Sequence, residues 1–271
     1  MRVFNQLRGM TFCALSLCVL LLNSSSSFGT LIPYLDVPGT TVNYTLISED
    51  PTRSTLPGPA GALPHFGQPT GGDTLSFPSL SFYTDSSGGG GDTADSKFLT
   101  TIRTKNPLSG ISNVSFTEWG DYKLIRTSLQ SNPSVEVNAI GWVTVEEVNG
   151  ASISPFIVIP SLSGAQFDNT YHLTGSQLQT GPPLLQSWNG SLNFDVAQAL
   201  RDHGYNSGLA TKVLFSLDNS LLSLSDANTL DAYIAKKGVT LTTTTVRVPE
   251  PSTLILLAMG LLGLGIWWRK N

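Results

Sequence analysis

From residue 73 onward, apolar and polar positions alternate with a period of two in short runs separated by Gly, Asn, Asp, Ser and Pro. That period puts successive side chains on opposite faces of an extended chain, so each run reads as a half-buried strand. The runs fall at 74–77, 81–84, 98–104, 111–118, 122–128, 135–147, 153–159, 170–174, 213–217 and 238–246. Upstream, seven prolines between Pro33 and Pro69 interrupt the chain. Only 40–47 alternates well enough there to be a strand, and the rest predicts loop or edge structure. Helical periodicity is confined to 194–201, where Asp195 stands at the capping position, Val196, Ala199 and Leu200 share a face, and Gly204 ends the run. A second helical turn is predicted at 226–230, with Ser225 as its cap. Trp119-Gly120-Asp121-Tyr122 reads as a hairpin corner. The number and spacing of the runs predict an all-β fold, an antiparallel β-sandwich of jelly-roll-like form with one or two short helices.

The two ends follow different patterns. Arg2 and Arg8 precede an apolar stretch at 10–22 and a polar run at 23–27, the layout of a cleavable export signal. Ser27 and Gly29 supply the small residues required for cleavage after Gly29, which implies the Sec translocon and signal peptidase as partners. Cys18 does not fit a lipid-acylation site, because Leu17 before it is too bulky. At the other end, Val248-Pro249-Glu250-Pro251-Ser252 leads into fifteen uncharged residues at 254–268 and then Arg269-Lys270-Asn271. The prolines hold an extended segment, and Pro251 can open a helix at a position where its missing N–H costs nothing. At about 1.5 Å per residue the run from Pro251 covers roughly 27 Å, enough for a thin bilayer core. Trp267 and Trp268 then fall at the interface, and Arg269 and Lys270 stay cytoplasmic.

This order of parts, a Pro-Glu-Pro motif, a Leu/Gly-rich helix and a short basic end, resembles the PEP-CTERM sorting signal. The resemblance covers 248–271 and implies an exosortase, a membrane-embedded cysteine transpeptidase-like enzyme, that cuts near 249–251. It also implies a precursor anchored in the inner membrane and a body delivered to the cell surface or beyond. Trp188-Asn189-Gly190-Ser191, Asp195-Val196, Thr211-Lys212-Val213, Leu217-Asp218-Asn219 and Ala235-Lys236-Lys237-Gly238 resemble the C-terminal part of a body domain that recurs before such tails. That domain is a secreted β-rich module with no assigned chemistry. The chain therefore divides into an export signal at 1–29, a Pro/Gly-rich segment with one or two edge strands at 30–72, a sandwich body at 73–247 and a sorting signal at 248–271.

Charge narrows the partners. The whole chain has 15 basic and 19 acidic residues, but Arg2, Arg8, Arg269, Lys270 and Glu250 belong to the end segments, which leaves 11 and 18, a net of −7. Such a surface repels polyanions and makes nucleic acid a poor partner. Both cysteines, Cys13 and Cys18, lie in the export signal. The processed chain can therefore use neither disulfides nor thiolate metal sites.

Candidate chemistry is sparse. His65, His172 and His203 lack metal-ligand spacing, and Gly204-Tyr205-Asn206-Ser207-Gly208 does not have the spacing of a nucleophile elbow. No catalytic residue is assigned. Asp85, Asp92 and Asp95 flank the glycines at 88–91 and form a candidate calcium set, calcium being the one cofactor considered; a plain mobile loop explains the same residues. Glu118, Glu136, Glu146 and Glu147 could supply a glycosidase pair only if the fold brought two of them together. Trp119 and Tyr122 are the candidate carbohydrate-stacking residues, with Tyr83, Trp142 and Trp188 as further aromatics. Trp142, in an alternating strand, reads rather as core. Lys236 and Lys237 read as a solvated turn beside the last strand. The expected function is that of a non-enzymatic surface or extracellular-matrix module associated with exopolysaccharide or biofilm. A secreted polysaccharide hydrolase is the alternative, and ice or surface adhesion, suggested by the Thr-rich 240–245, comes third.

Overall fold

The computed structural model describes residues 31–53, 64–77, 80–126, 131–162 and 185–247. The export signal with Ser27 and Gly29, the sorting signal from Val248 through Lys270, His172 and the strand expected at 170–174 lie outside them. In chain order the strands are β1 (Ile32–Pro33), β2 (Val37–Pro38), β3 (Val42–Arg53), β4 (Thr70–Gly71), β5 (Thr74–Ser76), β6 (Tyr83–Ser86), β7 (Gly91–Thr104), β8 (Ser109–Arg126), β9 (Ser134–Val148), β10 (Ala151–Val158), β11 (Ser161–Leu162), β12 (Gln186–Asp195), β13 (Ala210–Leu224) and β14 (Thr229–Arg247). A helix, α1 (Val196–Asp202), joins β12 to β13.

All pairings among the described residues are antiparallel. One layer runs β3-β7-β13-β9-β10, with β1 and β2 on the outer side of β3. The other runs β14-β8-β12-β11, and the far side of β14 takes β5 and β6 along different stretches. Among the described residues a single bridge, Ala210 to Ile111, connects the layers, so the sheet curls over on itself. The all-β antiparallel sandwich read from the alternation is thus the fold. Successive long strands β7, β8, β9, β12, β13 and β14 alternate between the two layers, and their inward side chains meet in one core. Phe215 of β13 lies at the middle, with ring centroids 6.0 Å from Phe116 of β8, 5.9 Å from Phe194 of β12 and 6.4 Å from Phe98 of β7. Each such aromatic removes a large apolar area from water, and truncating one costs about 3–5 kcal/mol.

Local chemistry explains two connections. Asn149 and Gly150 have φ of 52° and 78°, the left-handed pair that matches strand twist in a two-residue turn, and they join β9 to β10. The Asp195 carboxylate accepts from the Gln198 N–H at 2.8 Å and caps α1 as expected, while Val196 and Leu200 bury its inner face.

Several local expectations give way to tertiary structure. β8 is one strand of 18 residues rather than two strands with a corner at 119–122. Gly120 and Asp121 favour turns in isolation, but Gly120 is paired on both sides, with Lys236 of β14 and Trp188 of β12. The helical turn expected at 226–230 is a turn leading into β14, in which Asp226 accepts from the Asn228 N–H at 2.9 Å. β7, β13 and β14 all extend well beyond their apolar runs, because inward positions carry Asp92, Ser96 and Thr100 on β7, Asn219 and Ser223 on β13, and Lys236 on β14. Polar side chains at inward positions hide the alternation.

Candidate functional site

The outer face of the second layer gathers aromatic and hydrogen-bonding side chains. Trp119 on β8 is 42% exposed, and its indole lies across Gly238 of β14, where a Cβ would come within 1.9 Å of the ring. Its opposite neighbour on β12 is the exposed Asn189. Next along β8, Asp121 pairs with Lys237 and accepts from Ser187 Oγ at 3.2 Å. Further along the same face, Tyr83 of β6 and Tyr233 of β14 have ring centroids 6.3 Å apart, with Lys123 Nζ 5.8 Å from the Tyr233 ring. Lys123 also pairs with Asp231. A flat indole flanked by amide, carboxylate and ammonium groups can stack on the C–H face of a sugar while its neighbours take hydroxyls.

The other aromatics fall differently from expectation. Tyr122 follows Trp119 by three positions, an odd step that turns it to the opposite face; it is buried and its hydroxyl meets Gln186 Oε1. It is therefore no stacking surface beside Trp119. Trp188 is fully buried as well. Trp142, expected in the core, is 39% exposed on the outer face of the first layer, beside a shallow cavity of about 390 Å³ lined also by Ile140, Ile159 and Leu192. It belongs to the opposite layer from Trp119, so the two cannot share one ligand ring.

The carboxylates do not converge. Asp92 and Asp95 lie within β7, three positions apart, so they point to opposite faces, while Asp85 is exposed on β6. Asp85 N–H donates to Asp92 Oδ2 at 3.2 Å, and burial together with Asp231 pushes the Asp85 carboxyl up. Among the described residues no three His, Cys, Asp or Glu side chains gather as a metal site requires. Glu147 accepts a two-pronged bond from Arg103 at 2.6 and 2.7 Å, and Glu146 pairs with Lys212 at 2.8 Å. His65 lies buried against Phe82, whereas His203 ends α1 and stacks on Phe156.

Two buried polar groups escaped the sequence reading. Glu49 of β3 is fully buried and accepts from the His65 and Phe66 N–H groups at 2.9 and 3.2 Å and from Ser96 Oγ at 2.8 Å. The Tyr34 hydroxyl stands 2.5 Å from its other side. The second group lies between the layers. Lys236, expected in a solvated turn, sits inside β14, and its side chain is completely buried. A bulge between Lys236 and Gly238 causes this: Lys237 is the extra residue, so Ile234 and Lys236 before it and Val239 and Leu241 after it all face inward. Lys236 Nζ lies 2.6 Å from Glu118 Oε2 of β8 and meets Asn219 Oδ1 of β13. Asn219 Nδ2 donates to the same Glu118 oxygen at 2.6 Å. Phe82 and Trp188 cover the amine, with ring centroids at 4.6 and 5.8 Å. Gly120 makes room for Trp188, since a Cβ there would lie 1.9 Å from the Ala235 carbonyl oxygen and 2.8 Å from Trp188 Nε1. Burial pushes the Lys236 amine down to about 8, against the pull of Glu118.

Among the described residues no helix is long and apolar enough to cross a membrane. A search of curated proteins finds no match to the chain. Residues 247–270 match the family described as the PEP-CTERM protein-sorting motif, which covers the Pro-Glu-Pro segment, the apolar run and the basic end. The motif belongs to exported proteins whose membrane-anchored precursors are processed by an exosortase at the cell surface, and this chain is therefore a PEP-CTERM motif-containing protein.

Proposed function

We propose that the chain is a non-enzymatic surface or matrix module that enters the general secretory route, loses its export signal to signal peptidase, and holds extracellular polysaccharide on the outer face of its second layer. The sorting motif at 247–270 carries the reading, because it marks an exported protein processed at the cell surface, where an extracellular polymer is within reach. The exposed Trp119, laid over Gly238 beside Asn189, Asp121 and Lys237, supports the ligand class. The pairing of Glu146 and Glu147 with cations favours binding over hydrolysis.

Sedimentation of the exported protein with a panel of purified polysaccharides tests the ligand. Trp119→Ala is expected to weaken binding roughly tenfold, about 1.4 kcal/mol. Equal binding by parent and variant, or no binding to any polymer, would overturn the polysaccharide reading. Replacing Pro249-Glu250-Pro251 by three alanines separately tests sorting: a longer, membrane-retained product is expected, and identical size and release would refute it.

A further inference from the structure

The Glu118–Asn219–Lys236 cluster is expensive as an ordinary ion pair. Its charges are wholly removed from water, Glu118 Oε1 has no hydrogen-bond partner, and neither has Trp188 Nε1 beside it. A buried pair repays its desolvation only when every remaining polar atom is satisfied. The atoms are arranged instead for a reaction. One carboxylate oxygen touches both the Lys236 amine and the Asn219 amide nitrogen, each at 2.6 Å, while the amine meets the same amide from its carbonyl side. The aromatic rings over the amine exclude water that would compete as a nucleophile.

We infer that, once the layers close, Lys236 Nζ and Asn219 Cγ become joined by an intramolecular amide bond, with Glu118 carrying protons and one ammonia released. The ion pair first neutralises itself, the ammonium proton passing to Glu118. Burial favours this neutral amine, which is the nucleophilic form. The Nζ lone pair attacks Asn219 Cγ, and the carbonyl π electrons move to Oδ1. Glu118 gives its proton to Nδ2 and takes one from Nζ. As the oxyanion collapses, the Cγ–Nδ2 bond breaks and ammonia leaves. An amine and a primary amide have become a secondary amide and ammonia, with Glu118 left protonated and no oxidant or cofactor needed. Glu118 is the catalytic residue here, since it touches both nitrogens.

The bond ties β13 of one layer to β14 of the other. Residues 31–247 contain no cysteine, so an amide staple would do for this exported sandwich what disulfides do in other secreted domains. Its role is independent of any ligand on the outer face.

Tryptic mass spectrometry of the exported chain decides the matter. Lys212, Lys236 and Lys237 bound the relevant peptide, and no Lys or Arg lies between 213 and 235. The acylated chain is expected to resist cleavage after Lys236 and to yield 213–237, lighter than its sequence mass by one ammonia and lacking fragment ions from inside the 219–236 ring. Chain collected in urea without folding, and the Asn219→Ala and Lys236→Arg variants, should keep full mass. A folded parent of full mass that is cut after Lys236 overturns the proposal whatever the variants do. So does ammonia loss with a complete fragment ladder, which marks a succinimide at Asn219. Loss of water with residues 118 and 236 linked would also overturn it. A Glu118→Gln chain that folds and still loses ammonia would remove the role given to Glu118.

Discussion

Replacing Glu49 by Leu should cost this protein a large part of its stability, although the two side chains are close in size. The carboxylate is completely buried and receives two backbone N–H groups, from His65 and Phe66, together with the Ser96 hydroxyl, while the Tyr34 hydroxyl lies against it. Leu fills the space but offers no acceptor. The Tyr34 hydroxyl can turn to the Phe66 carbonyl, 2.5 Å away, so its loss is small. The two N–H groups are fixed by the backbone and the Ser96 hydroxyl is enclosed, so these three carry the cost. At about 1–3 kcal/mol for each unsatisfied buried group, and allowing for partial relaxation, Glu49→Leu should destabilise by about 3–5 kcal/mol, out of the roughly 5–15 kcal/mol typical of a domain. Glu49→Gln keeps one acceptor oxygen and should lose only about 1–2 kcal/mol. Urea unfolding of the exported protein, followed by tryptophan fluorescence, reads both values from the midpoints at constant slope. A Glu49→Leu protein within 1 kcal/mol of the parent, or one less impaired than Glu49→Gln, would show that these donors do not depend on Glu49.

Two further outcomes follow from local geometry and from linkage. Leu46 is 76% exposed yet held at φ 53°, within the bulge of β3, so Leu46→Asn should raise the thermal midpoint by relieving about 1 kcal/mol of left-handed strain; an unchanged or lower midpoint would count against the strain. In Asn219→Leu the Lys236 amine stays free, and because burial holds it near 8, below the ordinary 10.5, the unfolded chain binds the extra proton between those values. Stability should therefore rise with pH from about 8 to 10.5, a slope that the double variant with Lys236→Met should lack in parallel denaturation series.

How far each part could be read in advance depended on whether the signal was local. A period of two follows from strand geometry, so alternation at 135–147 and 153–159 was enough to place β9 and β10. The Asp195 cap is likewise a contact between near neighbours, and α1 lies where it predicts. The sorting motif consists of residues adjacent in the chain, and it was legible for the same reason. Trp119 carried a correct hint of exposure, but for a corner that does not exist; pairing of β8 with both β12 and β14 decides its place.

Which face of a strand turns inward is a non-local matter, settled by register and by the layer packed against it. Lys236 and Asn219 look like surface residues along the chain, and Glu118 like one of several scattered acids. A bulge in β14 turns the lysine inward, Asn219 comes from the facing layer, and Gly120 leaves room for the Trp188 ring that covers the amine. By itself, then, the sequence determined the all-β class, the capped helix and the address at its end. The tertiary structure alone decided that three residues spread over positions 118 to 236 would share one dry pocket, because pairing of β8 with β14 sets Glu118 beside Lys236 and closure of the other layer over them adds Asn219.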